Sequence, residues 1–324
     1  MTIKLKEGIN TLICGLGKVG LGGGLTEGSD VLTHYKAIST SPLFELVGLV
    51  DPNIEKRDLL GEKDKSKYYE RVEQVQARVD VAIVAVPIAD ILSATEEILS
   101  RFEPKMILVE KPLGFDERLW NGSKSLNSHS RICFVNYSRR ADPSFHALRE
   151  IIARVSKEDD IQVTARYGGS FFNSASHLLD LLRWFLGDLR EIKYAVARKD
   201  VQKNLESEID FGLTYDSARV SVASVGKFGY PIFEIDFFTN SGVFRARSPF
   251  KGVIFEPSLD RSIEINSLTD EPLFQNYSTV TQLNVAKEIL RFLSAGETSL
   301  PSLKEALEIL KQLREISNIA GFSS

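Results

Sequence analysis

Short apolar runs alternate with longer stretches of mixed polarity through the first third of the chain, the pattern of buried strands joined by helices. Ile9 to Cys14 is the first run, and it ends in Gly15-Leu16-Gly17-Lys18-Val19-Gly20 before a helical stretch through Lys36, Ala37 and Ile38. Phe44 to Val50 follows and closes on Asp51 and Pro52. A third run, Val79 to Val86, stops at Pro87; a helix is predicted over Ile91 to Phe102; and Met106 to Val109 forms a fourth strand that ends in Glu110-Lys111-Pro112. Strands separated by helices imply a parallel, doubly wound sheet.

Past Pro143 the pattern changes. Helices are predicted over Phe145 to Val155 and Ser176 to Leu186, with a strand over Ile161 to Tyr167 between them. Six strand-like segments follow: Glu191 to Arg198, Glu208 to Tyr215, Arg219 to Val225, Phe233 to Thr239, Val243 to Arg247 and Ile263 to Asn266. Short polar turns join some of them, Tyr215-Asp216-Ser217 and Asn240-Ser241-Gly242, which favours antiparallel pairing. Two amphipathic helices, Thr281 to Ala295 and Leu303 to Ala320, close the chain. At 324 residues the chain exceeds the size at which single cores stop growing, about 250 to 300 residues. The expected division is an N-terminal α/β domain over 1–135 and an α+β domain over 136–324 with a large, open, mostly antiparallel sheet, the last helices packing back on the first domain.

Composition narrows the function classes. Apolar residues make up 43% and charged residues 26%, which suits a chain that buries a core. A formal net charge of -4 argues against a nucleic-acid or anionic-membrane partner, because either needs a concentrated positive field. No apolar run reaches the roughly 18 residues of a membrane span, and the first ten residues lack a secretory h-region, so a cytoplasmic location is expected. Cys14 and Cys133 lie inside apolar runs and read as buried free thiols. The four histidines are far apart and no Cys/His spacing suits a metal, so none is expected.

The glycine turn carries the first chemistry. A G-x-G-x-x-G directly after a strand, followed by a second strand ending in an acid, is a dinucleotide fingerprint that marks a Rossmann domain. Gly15 permits the tight turn, Gly17 lets the backbone around Lys18 and Val19 approach a pyrophosphate, and Gly20 lets the following helix pack closely; the helix N-terminus would face the anion. Asp51 is the expected ribose ligand and would repel a 2′-phosphate, which favours NAD, while Lys56 and Arg57 leave room for NADP. The spacing from the glycines to Asp51 is lengthened by a glycine-rich insertion, Leu21 to Asp30.

A second set of polar residues lies further on. Pro87 and Glu110-Lys111-Pro112 end strands at the carboxyl edge of the sheet, where open α/β folds bind ligands. Proline restricts Lys111, whose amine can hold a substrate oxygen, and a neighbouring nicotinamide cation would lower its pKa. His177 and Asp180 are three apart and share a helix face, so the carboxylate can orient the imidazole; Asn173 precedes them by one turn. Leu178, Leu181, Leu182 and Phe185 form the apolar stripe of that helix. The other histidines read as structural, with His34 near the glycine turn.

Together these residues resemble the glucose-fructose oxidoreductase, inositol dehydrogenase and rhizopine catabolism (Gfo/Idh/MocA) family. The resemblance rests on the glycine turn, Asp51, Ala85-Val86-Pro87, Glu110-Lys111-Pro112, Asn136 through Asp142-Pro143, and Ser176-His177-Leu178-Leu179-Asp180 with Trp184 and Gly187. It implies an NAD(P)-dependent dehydrogenase of a sugar, cyclitol or nucleotide-linked sugar, assembled as a homodimer or homotetramer through the C-terminal sheet. In that frame Lys111 is the catalytic lysine and His177 the acid or base. Three departures stand out: Asn173 where the family often has aspartate, Ile91 where it commonly has histidine, and the insertion. Members with a similar insertion and an Asn-x-x-Ser-His segment look like enzymes of surface-polysaccharide or unusual-sugar pathways. Two other readings stay open, a dinucleotide-binding regulator without turnover and a reductase of an imine or biliverdin-like substrate.

Overall fold

A computed structural model describes residues 8–23, 30–114, 116–157, 160–198, 208–228, 232–248, 252–257 and 279–322. The chain forms two compact units: Met1–Ala141 with Thr279–Glu308, and Asp142–Ser278 with Ile309–Ser324. Most of the glycine-rich insertion and the segment Ile263 to Asn266 lie outside the described residues.

The first unit is built on a six-stranded parallel sheet. Its strands are β1 (Ile9–Cys14), β2 (Phe44–Val50), β3 (Tyr68–Tyr69), β4 (Val81–Val84), β5 (Met106–Val109) and β6 (Cys133–Val135), in the order β3-β2-β1-β4-β5-β6. Complete burial of β4 and β5 explains why they read as unbroken apolar runs rather than alternating ones. The helices are α1 (His34–Ser39), α2 (Ile91–Arg101), α3 (Glu117–Asn121) and α4 (Lys124–Ser128), and α7 (Thr281–Ala295) returns from the far end of the chain. Val285, Ala286 and Ile289 of α7 join Ile9, Ile13, Tyr35 and Ile38 in one hydrophobic core. Strand order reverses between β1 and β4, the point at which such sheets bind their ligands.

The polar segment after Asp51 folds into short 3-10 turns at Ile54–Leu59 and Glu62–Lys67 instead of a helix. The helix expected through Lys36, Ala37 and Ile38 begins at His34, capped by Thr33, whose hydroxyl accepts from the Lys36 N–H. The intervening insertion separates turn and helix. The first N–H groups of α1 are thereby taken by the turn itself, His34 donating to the Val19 carbonyl and Tyr35 to that of Gly20.

The second unit holds a seven-stranded sheet of β7 (Ile161–Tyr167), β8 (Glu191–Ala197), β9 (Ile209–Thr214), β10 (Ala218–Ser224), β11 (Phe233–Thr239), β12 (Gly242–Ser248) and β13 (Gly252–Pro257). Their order is β13-β12-β11-β7-β10-β9-β8, with β7 parallel to β10 and every other pair antiparallel. Alternating burial along β7 and β10 marks a sheet covered on one face. The covering helices are α5 (Pro143–Val155) and α6 (Ser176–Leu186). Phe185 of α6 stacks against Phe145 of α5 at 6.2 Å and edge-on to Phe237 of β11 at 5.5 Å, and burying such a ring contributes roughly 1.5–3 kcal/mol. The final helix, α8 (Leu303–Ile319), starts with a capping arrangement in which Glu305 accepts from the N–H and hydroxyl of Ser302.

Among the described residues no helix is long and apolar enough to cross a membrane. Among them, too, no three His, Cys, Asp or Glu side chains are grouped as metal ligands. Cys14 and Cys133 are buried free thiols, and burial pushes both up to about 12.

Candidate active site

The glycine turn leaves β1 under tight packing. Gly15 has φ +96°, and a Cβ there would lie 2.4 Å from the Ala85 carbonyl carbon and oxygen at the exit of β4. A Cβ on Gly20 would meet the Gly15 carbonyl oxygen at 2.0 Å. Those two glycines are demanded by the protein's own backbone. Gly17 differs: nothing lies within 4 Å of where its Cβ would be. Neither packing nor backbone conformation requires glycine at 17, so the open space there fits an outside group, as a pyrophosphate cradled by backbone would need. Leu21 and Gly22 both donate to the Gly17 carbonyl and close a helical turn, with Lys18 and Val19 exposed on it.

Asp51 stands one residue beyond β2 and is fixed on both oxygens. Oδ2 accepts from the Leu16 N–H at 2.8 Å and Oδ1 from the Asn53 N–H at 2.9 Å. The Tyr68 hydroxyl donates to the Asp51 carbonyl at 2.5 Å. The acid expected at a ribose is therefore part of the glycine turn's own scaffold. Pro87 ends the β4 exit and precedes a 3-10 turn, Ile88–Asp90, into α2, where Ile91 is a core residue. Of the two basic residues after Asp51, Arg57 donates to the Lys65 carbonyl.

Glu110 and Lys111 follow β5. The Glu110 N–H continues the ladder to the Val84 carbonyl at 2.8 Å. Its carboxylate Oε1 accepts from His34 Nε2 at 2.7 Å and from Asn136 Nδ2 at 2.5 Å. Asn136 follows β6 and also donates to Gln282 of α7 at 3.3 Å. His34, Asn136 and Gln282 are all buried. Burial pulls the neighbouring Lys111 amine down to about 8; the Arg139 guanidinium acts in the same direction and Glu110 opposes it. An amine with that value is neutral in about one molecule in ten at pH 7, against well under one in a thousand for an ordinary lysine, and can take or give a proton.

In the second unit, Asn173 sits on a π-helical turn, Phe171–Ala175, that runs into α6. Its side chain is exposed, and its carbonyl accepts from the Ser176 hydroxyl at 3.0 Å. His177 and Asp180 lie in the first turn and a half of α6 at i, i+3, Asp180 buried and His177 partly so. A π turn at this place widens the helix by one residue, so Asn173 and His177 do not keep the regular α-helical phase. The first unit thus brings together the glycine turn, Asp51, Pro87, Glu110 and Lys111; the second brings together Asn173, His177 and Asp180.

Four contributors to the first cluster were under-read in the sequence. Asn136 is a polar residue one step beyond a buried strand, the same signal that marks Asp51 and Glu110. Arg139 is the first of two consecutive arginines behind it. His34 and Gln282 sit on helices far apart in the chain, and only the fold joins them.

Residues 9–137 match the model of an oxidoreductase family with an NAD-binding Rossmann fold. This stretch belongs to the Gfo/Idh/MocA oxidoreductases. Comparison with curated proteins gives no match. Solved structures extend the likeness of fold to nearly the whole chain. WlbA dehydrogenase from Chromobacterium violaceum, solved with NADH and UDP-GlcNAcA, aligns with TM-score 0.74 at 14% identity, over 98% of this chain and 95% of its own. WlbA from Bordetella pertussis, with the same ligands, gives 0.72 at 17% identity, covering 97% of each chain. A myo-inositol dehydrogenase from Corynebacterium glutamicum gives 0.71 at 16% identity, over 97% and 96%. The Gfo/Idh/MocA domain accounts for the glycine turn and the carboxyl-edge residues: the chain is an NAD-binding oxidoreductase.

Proposed function

We propose that the chain is a dehydrogenase acting on a carbinol of a sugar, cyclitol or nucleotide-linked sugar. The observation that carries this reading is Lys111, a half-buried amine brought to about 8 at the carboxyl edge of an NAD-binding sheet. The nicotinamide, when bound, supplies acceptance or donation of a hydride. Everything else falls to the chain. Lys111, neutral, takes the hydroxyl proton as an alcohol is oxidised, and as ammonium returns it in the reverse direction. His177, oriented from α6 with Asp180 on the same face, is the second acid-base group. Asn173, uncharged where related enzymes often carry aspartate, binds substrate through its amide. Asp51 holds the ribose hydroxyls and disfavours a 2′-phosphate, so NAD is preferred. The sugar-type substrate is supported by relatives of the same fold named as inositol dehydrogenases and by WlbA solved with a UDP-sugar acid.

The test is a spectrophotometric screen at the NADH band with inositols, hexoses and UDP-hexose derivatives, repeated with Lys111→Met and His177→Asn. Turnover by the native protein that falls a hundredfold or more in Lys111→Met, with NADH still bound, supports the reading, since a positioned acid-base group contributes roughly 10²–10⁴. Native-like turnover in Lys111→Met overturns it. Ile91, buried in the core where related enzymes commonly have histidine, favours a second reading, a dinucleotide-binding regulator. Tight NADH binding with no turnover on the whole panel would favour that one.

A further inference from the structure

The cluster around Glu110 is larger than a strand end needs. Four polar side chains from four separate segments meet there: His34 from α1, Glu110 after β5, Asn136 after β6 and Gln282 from α7. His34 and Asn136 are 2% exposed and Gln282 is 5%, so these groups have been taken out of water, a cost that folding alone could have avoided with apolar side chains. Two donors converge on one carboxylate oxygen, at 2.7 and 2.5 Å. The carboxylate belongs to the residue just before Lys111.

The other end of His34 is equally informative. Its backbone N–H donates to the Val19 carbonyl at 3.0 Å, and the next N–H, of Tyr35, donates to Gly20 at 2.9 Å. His34 is therefore bolted to the glycine turn by its backbone and to Glu110 by its imidazole. A single residue spans the two features of the first unit that carry its chemistry.

We infer that His34 is a positioning residue for Lys111: seated on the glycine turn, it holds the Glu110 carboxylate and through it fixes the place and surroundings of the adjoining amine. This rests on the reading of Lys111 as the acid-base group. Among the described residues, the charges that act on that amine include Arg139 from the turn after β6 and Glu110 from its own strand end. Glu110 in turn is faced by His34, Asn136 and, through Asn136, Gln282. With the imidazole gone, one donor fewer draws the carboxylate away, and its charge turns to the neighbouring ammonium. The amine then titrates higher and less of it is neutral.

The titration of Lys111 can be followed without knowing the substrate. Acetic anhydride is pulsed on the full-length protein across pH 6.5 to 10.5, and acetylation of the Lys111 peptide is quantified by mass spectrometry. In the native protein the midpoint is expected near 8. His34→Phe should raise it by about one pH unit, lowering the neutral amine about tenfold below the midpoint. His34→Gln, which keeps a donor, should restore it, and Glu110→Gln, which removes the charge, should move it the other way. An unmoved midpoint in His34→Phe, or the same shift in His34→Gln, overturns the positioning role. If His34→Phe does not fold, the other two variants decide: an unmoved midpoint in Glu110→Gln, or a raised one in His34→Gln, overturns it as well. Inactive Lys111→Met together with an unmoved midpoint removes the positioning alone, whereas fully active Lys111→Met removes the lysine's role and with it the purpose of the cluster.

Discussion

The Leu16 N–H donates to Oδ2 of Asp51 across 2.8 Å, so the glycine turn and the carboxyl end of β2 are held by the same carboxylate that the coenzyme ribose would meet. The proposed binding group is also scaffold. Asp51→Ser should therefore do two things. NADH affinity should fall about tenfold or more, the equivalent of roughly 1.5–3 kcal/mol for a charge-assisted hydrogen bond, while NADPH affinity rises as the repulsion goes. Fluorescence titration with the two coenzymes measures both; an unchanged NADH/NADPH ratio would count against Asp51 as the discriminating group.

The glycines of the turn should separate cleanly by substitution. Gly17→Ala places a Cβ in open space, so its melting temperature should stay near native while NADH affinity drops at least tenfold, about 1.4 kcal/mol. Gly20→Ala drives a Cβ onto the Gly15 carbonyl and should cost about 1–3 kcal/mol of stability or abolish folding. Thermal melts with and without NADH distinguish the two.

Lys111 should be a stability liability with a defined pH window. Its folded value, about 8, lies below the ordinary 10.5, so the folded state resists the proton that the unfolded chain keeps. The penalty is full below about 8 and disappears as pH rises toward 10.5. Lys111→Met should stabilise the protein at pH 7 by about 1–2 kcal/mol, less than the full shift implies because the side chain is partly exposed. The gain should vanish by pH 10.5, as denaturant melts at pH 7, 9 and 10.5 would show; a pH-independent gain would place its origin in packing.

Arg140 is buried and pairs with Glu305 at 3.1 Å, while Glu305 also caps the start of α8 through Ser302. Burial pushes the Glu305 carboxyl up, but Arg140 and the Ser302 donors override it and hold it below the usual carboxylate range. Its stabilising contribution is present above the ordinary carboxylate range and is lost as pH falls through the lowered folded value. Glu305→Ala should cost about 2 kcal/mol, because it takes a carboxylate away from a buried guanidinium and removes a cap. Arg140→Met should cost less, since no charge is left unpaired in the interior; urea melts of both variants compare them.

The legible part of the molecule is the part whose signal is local. β1, β2, β5, β7, α2, α5 and α6 are read from periodicity within one or two residues, because burial on both faces or on one stripe leaves an unmistakable pattern. Three residues, Cys133 to Val135, are too few to show a period for β6, and the six of β13 show no alternation. Among site residues, Gly15, Asp51, Glu110 and Lys111 announce themselves by standing where a strand stops. His34 could not, because its partner Glu110 is 76 residues away and its value lies in that pairing.

The return of α7 has a consequence for biosynthesis. Val285, Ala286 and Ile289 complete a core whose other walls include Ile9, Ile13, Tyr35 and Ile38, translated more than two hundred residues earlier. A ribosome must therefore make all seven strands of the second sheet before the dinucleotide-binding body receives α7. Domains generally fold in order of emergence; here the first to emerge waits on a helix encoded after the second sheet, and a nascent chain halted at Ala141 would display an apolar groove where α7 belongs.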